Sequence, residues 1–196
     1  MTTDLENINY IDEPKETLSM NPKKFLLWLF IVSIMMMFAA FTSAYLVRKA
    51  EGNWLEFKLP VLFWYSSAVL LISSISMHIA YLAAKKDNIN TLRIAISITF
   101  VLGLVFLVMQ LFGWKELVAV NVYFVGNPSG SFVYVFSGLH GLHLISGLVV
   151  LCFAFVSAFR LKIHAKALNQ IQICATYWHF LDILWLYLFF FLIYNN

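Results

Sequence analysis

Charge is scarce in this chain. Only 12% of its 196 residues are charged, while 62% are hydrophobic and the mean hydropathy is +0.82. A soluble domain carries about 25% charged residues. So much apolar surface with so little charge excludes a water-soluble globular protein and points to an integral membrane protein with several spans. Cysteine is nearly missing: Cys152 and Cys174 both fall in apolar runs, which argues against a disulfide framework and for free buried thiols. The first twenty residues are polar and acidic and lack the apolar core of a secretory signal. There is no phosphate loop, no nucleophile elbow and no cysteine-rich cluster, and nothing points to nucleic acid.

Five long apolar runs remain. Each is close to the roughly 20 residues that cross a bilayer as a helix. The spans are expected at about 25–47, 59–84, 93–112, 131–159 and 173–194, after a polar tail at 1–24. The expected fold is therefore all-α, an integral membrane bundle of five transmembrane helices occupying 25–196. Pro60 sits at a first turn, where a missing N–H does no harm. Ser66, Ser67, Ser73, Ser74 and Ser76 make the second span hydroxyl-rich and suited to helix contact. Gly126-Asn127-Pro128-Ser129-Gly130 is a turn-forming run, and the loop is expected over 113–130. Met35, Met36 and Met37 diverge around one helix, so they read as packing material rather than copper ligands.

Five spans put the termini on opposite sides. Nine of the 13 lysines and arginines flank one side (Lys15, Lys23, Lys24, Lys85, Lys86, Arg93, Arg160, Lys162, Lys166). The other side has Arg48, Lys49, Lys58 and Lys115. The positive-inside rule then places the N-terminus in the cytoplasm and the C-terminus outside.

Polar residues inside the spans are the informative exceptions. Asp182 lies mid-span, where a carboxylate costs about 2.5–3.5 kcal/mol on insertion scales, so it must face protein or water. His179 and Asp182 are three apart and share a side of the last span; His140 and His143 do the same on the fourth. Trp178, Asp182, Trp185 and Phe189 form an aromatic stripe around the acid. Consecutive spans are expected to be neighbours, so the two polar faces should meet and hydrogen-bond as a structural clasp. A metal or haem site and a proton relay are the other readings of the same residues. His78, near a helix end, reads as an interfacial or hydrogen-bonded residue. Arg160 and Lys162, with Lys166, form either a solvated edge or a site for an anionic lipid headgroup.

Two runs of residues carry a resemblance. Tyr177-Trp178-His179-Phe180-Leu181-Asp182-Ile183-Leu184-Trp185 is similar to the Y-W-H-F-x-D-x-x-W of the cytochrome c oxidase subunit III family, and Gly138-Leu139-His140-Gly141-Leu142-His143 to its T-G-F-H-G-L-H. Gln110 and Trp114 add a Q-x-x-E-W pattern, and Ser33 through Arg48 resembles the first helix shared by all members. The resemblance implies an accessory subunit with no cofactor of its own, haem and copper lying in partner subunits I and II. It implies packing chiefly against subunit I, with subunit II, further subunits or a supercomplex as other partners, and a phospholipid held in a cleft. Gln110, Trp178 and Trp185 are its candidates for subunit packing. The chain lacks the two helices that open the longest members. Its acids also depart from the pattern: Ile34, Gly113 and Gln172 stand where the family has carboxylates, so a role for the first of these in proton supply does not carry over. Two rival functions fit the residues: a haem-binding membrane anchor or electron carrier using His140, His143 and His179, and an accessory protein of nitric oxide reductase.

Overall fold

A computed structural model describes residues 21–159 and 165–195, with side chains placed over 21–156 and 168–195. Five helices follow one another: α1 (Pro22–Ala50), α2 (Val61–Lys85), α3 (Ile89–Ala119), α4 (Pro128–Phe159) and α5 (Ala165–Asn195). All five are long and apolar enough to cross a membrane. Most of the tail, together with Arg160 and Lys162, lies outside the described residues.

The helix starts follow from local chemistry. The Asn21 side chain accepts from the Lys23 N–H at 3.1 Å and Pro22 opens the first turn, so α1 begins there rather than at Phe25. Asn88 caps α3 in the same way, accepting from the Thr91 N–H at 3.2 Å. Asp87, with φ 53°, makes the tight reversal between α2 and α3. Four helices, α1, α3, α4 and α5, outrun their expected lengths, α3 the most. The third continues through Trp114 and Lys115 to Ala119, because nothing breaks it before Asn121 takes a left-handed φ of 60°. Gly113, read in the sequence as the loop's first residue, lies buried within it.

Packing is uneven. The α2–α3 hairpin is the most extensive contact, and α5 touches α1, α2 and α4. The α5 indoles reach α3 as well, where Phe106 stands 5.1 Å from Trp185 by ring centroid. The first helix is the loosest member: it touches α4 and α5 but neither α2 nor α3. Its seam is held by Phe38 and Tyr45, both buried, and by a Thr42–Tyr187 hydroxyl bond of 3.1 Å. The Tyr45 hydroxyl also donates to the Asn195 carbonyl at 3.1 Å, and the Lys49 ammonium reaches the same oxygen. Side-chain hydrogen bonds between membrane helices average about 0.6 kcal/mol, with a ceiling near 1.7. Tyr187→Phe is accordingly expected to lower the unfolding free energy of the purified chain by on the order of 0.6 kcal/mol. A loss above about 2 kcal/mol would mean that α1 is held by this bond rather than by ring packing.

Candidate functional site

The site is a ladder between α5 and α2. Trp178 donates its indole N–H to Ser73 Oγ at 3.1 Å, and Trp185 donates to Ser67 Oγ at 2.9 Å. His179 Nδ1 and Ser74 Oγ share a hydrogen at 2.7 Å. As numbers rise along α5 they fall along α2, so the helices run antiparallel. A hydrocarbon interior offers no water, so each indole N–H must find an acceptor in the protein. Serine suits that need. Ser66 and Ser67 each donate to the Phe63 carbonyl one turn back, at 3.0 and 2.7 Å, which frees their lone pairs to accept from another helix. From α3, Gln110 Nε2 donates to Ser66 at 3.1 Å and extends the ladder to a third helix.

Glycines set the spacing. A Cβ at Gly103 would lie 2.8 Å from the Trp178 ring and 3.0 Å from Leu148. A Cβ at Gly147 would meet Leu181 at 2.9 Å, and one at Gly113 would meet Phe63 at 2.9 Å. These contacts let α3 and α4 close upon the rings of α5 and α2.

The residues singled out by the sequence are not gathered at one point. His140 is fully buried, with its ring 5.1 Å from Trp185 and 5.7 Å from Phe106, and neither ring nitrogen has a hydrogen-bond partner. His143 faces α1: its ring lies 5.9 Å from Phe38, and its Nδ1 bonds the Leu139 carbonyl of its own helix at 2.7 Å. His179 turns to α2. Asp182 is 3% exposed, and neither carboxyl oxygen makes a hydrogen bond of acceptable distance and angle. The expected hydrogen bonds from His140 and His143 to His179 and Asp182 are therefore not formed. The reason is angular: positions three apart on a helix are about 60° apart around its axis, enough to send two side chains to different neighbours. What joins α4 to α5 instead is a Ser146–Tyr177 hydroxyl bond of 2.7 Å beside Gly147. Gln110, Trp178 and Trp185 are all buried inside the chain and spend their donors on α2 serines. Among the described residues, no three His, Cys, Asp or Glu side chains stand where they could hold a metal ion.

Sequence reasoning registered the hydroxyl-rich α2 and the aromatic stripe of α5 but did not pair them. The signal was present: donors without acceptors on one span, and acceptors on another. The departures from the motif also gain a physical account. Ile34 is 3% exposed within the bundle, and the Phe63 ring stands over Gly113 where a longer side chain would need room.

Comparison with known proteins agrees with the motifs. The family model for "Cytochrome c oxidase subunit III" matches residues 53–196. A probable cytochrome c oxidase subunit 3 from Nocardia farcinica is 32% identical over 174 residues, covering 84% of this chain and 82% of the relative. A cytochrome bo(3) ubiquinol oxidase subunit 3 from Buchnera aphidicola (subsp. Schizaphis graminum) is 30% identical over 187 residues, covering 93% of this chain and 98% of its own length. The cytochrome c oxidase subunit 3 of Thermostichus vulcanus is 29% identical over 172 residues, covering 83% of this chain and 82% of the relative. With its five spans, its two motifs and relatives matched over most of their length, the chain belongs to the cytochrome c oxidase subunit III family, as a multi-pass bacterial membrane protein and an accessory subunit of a haem-copper oxidase.

Proposed function

We propose that this chain acts as the scaffold that stands beside subunit I of its oxidase, while haem and copper reside in subunits I and II. One observation carries the reading. The three histidines of the rival haem-anchor hypothesis point to three different neighbours: His140 to Trp185 and Phe106, His143 to Phe38, and His179 to Ser74. Axial ligation needs imidazoles that converge on one iron, and these residues do not fit that group. The polar side chains of α2 and α5 bind helix to helix instead, which suits a subunit whose work is shape.

The relatives named above belong to oxidases of both cytochrome c and ubiquinol. A place beside the oxygen-reducing subunit is compatible with either donor. In this reading the N-terminus faces the cytoplasm, the side with most lysines and arginines. Arg160 and Lys162 approach a phospholipid headgroup there, and subunit II or a supercomplex partner can lie further out.

The test is spectroscopic and structural. The chain purified alone should show no Soret band, and the oxidase purified without it should keep its haem spectrum. Cysteines placed on the exposed faces of α2 to α5 should cross-link to subunit I in the intact complex. A stoichiometric Soret band in the isolated chain would favour the haem anchor.

A further inference from the structure

A row of polar side chains leads from the edge of the bundle to its interior. His78 is exposed on α2, about 10 Å along the axis from Lys85 at the helix end. Its ring centroid lies 6.0 Å from that of His179 on α5. His179 Nδ1 is 2.7 Å from Ser74 Oγ. Asp182 lies on the same stripe of α5 between the rungs Trp178–Ser73 and Trp185–Ser67, which turns its buried carboxyl toward this stretch of α2, although neither of its oxygens makes a hydrogen bond. We propose that His78, His179 and Ser74 form a proton-conducting chain that joins Asp182 to the membrane face bearing the α2–α3 turn.

Asp182 itself separates this from plain helix glue. A carboxyl that served only to bind helices would have a fixed partner for each oxygen, as the serines and indoles around it have fixed partners. Both of its oxygens lack one, and the neighbouring indoles of Trp178 and Trp185 are aimed at Ser73 and Ser67. A buried carboxylate without donors is costly. A carboxyl that takes up and releases a proton needs a route for that proton, and the side chains beside it supply one.

The transfer balances with O–H and N–H bonds alone. A neutral His179 with its proton on Nδ1 gives that proton to Ser74 Oγ as Ser74 passes its own proton to the Asp182 carboxylate. In the same step its bare Nε2 takes a proton from His78, directly or through one water, and His179 is left as the Nε2–H tautomer. His78 is recharged from the aqueous edge, and the reverse order returns the proton. Other polar groups stand on the helices packed around this row. On α3, Arg93 lies near the height of His78, as the Ser76 bond to the Ala95 carbonyl at 3.0 Å shows, and Gln110, which does not titrate, bonds Ser66. From α4 comes His140, against Trp185. On α5 itself, Cys174 is buried and Tyr177 turns away to Ser146.

The experiment is infrared hydrogen–deuterium exchange on the purified oxidase complex. The band of a protonated carboxyl that disappears in Asp182→Asn identifies Asp182, and its shift in D2O times the exchange. Ser74→Ala and His78→Gln should each slow that shift by at least about tenfold, a decade below the ~10²–10⁴ that a positioned proton-transfer group supplies. Ser74→Thr, which keeps a hydroxyl, should restore the rate. Haem absorption and subunit content should not change in any of them. If Ser74→Ala does not assemble, His78→Gln, at an exposed position, makes the same comparison. Unchanged exchange in the variants, or no Asp182 carboxyl band at any pH the complex tolerates, would overturn the proposal.

Discussion

Trp178→Ala is expected to destabilise the bundle by about 2–4 kcal/mol and to deplete this subunit from purified oxidase. In water, truncating a buried tryptophan to alanine costs about 3–5 kcal/mol. In a bilayer the separated helices stay in an apolar solvent, so part of the transfer term disappears and the loss of close packing remains. Trp178 is 1% exposed and fits against Gly103 and Gly147, so the space it leaves is walled in part by residues with no side chain to fill it. The Ser73 hydroxyl would also lose its indole donor. Trp178→Phe keeps most of the ring and should cost roughly 0.6–1.7 kcal/mol, the range for a lost interhelical bond. Unfolding midpoints of the purified chain and the subunit ratio on a gel check both values. Equal losses for Phe and Ala would show that the hydrogen bond, not the ring, holds α5 to α2.

The second large effect is the reverse operation, adding volume instead of removing it. Gly103→Ala places a methyl 2.8 Å from the Trp178 ring, closer than real Cβ contacts come. The ring cannot easily retreat, because its N–H is pinned to Ser73 and its other edge lies against Gly147. Overpacking of this kind costs about 1–3 kcal/mol. The two substitutions should also be coupled: in a Trp178→Phe background the methyl meets a smaller ring. The double variant should therefore lose less than the sum of the singles, by at least about 0.5 kcal/mol. Strict additivity would mean that the helices shift to admit the methyl before they touch the ring.

Much of the architecture was legible in the residues. The count of five helices rests on hydropathy and length, which a bilayer enforces on every span. The central place of α5 was legible too, since Asp182 among aromatic residues demands protein on several sides. Rotation about each helix axis was not legible. Whether His143 looks toward α5 or toward α1 turns on about 60° of helix angle, and apolar residues surround every span on all sides, so no amphipathic stripe marks the inner face. The α2–α5 pairing was hidden for a related reason. Adjacency in sequence pairs α4 with α5, and the two do touch, yet the indoles and the imidazole of α5 bond across more than a hundred residues to Ser67, Ser73 and Ser74. Gly113 is ambiguous in the sequence because glycine marks both a turn and a close helix approach. Only the position of Phe63 tells which.

The loose seating of α1 has a consequence for how the molecule is made. Of the five helices it is the earliest to leave the ribosome, yet its two contacts are α4 and α5, the latest two of the five. The α2–α3 hairpin can close as soon as its second arm is inserted. The first helix must wait in the lipid until translation is nearly over, and its Thr42 finds Tyr187 only then. A nascent chain arrested before α4 would thus hold a formed hairpin and an unattached leading helix, open to any protease or chaperone that patrols the membrane.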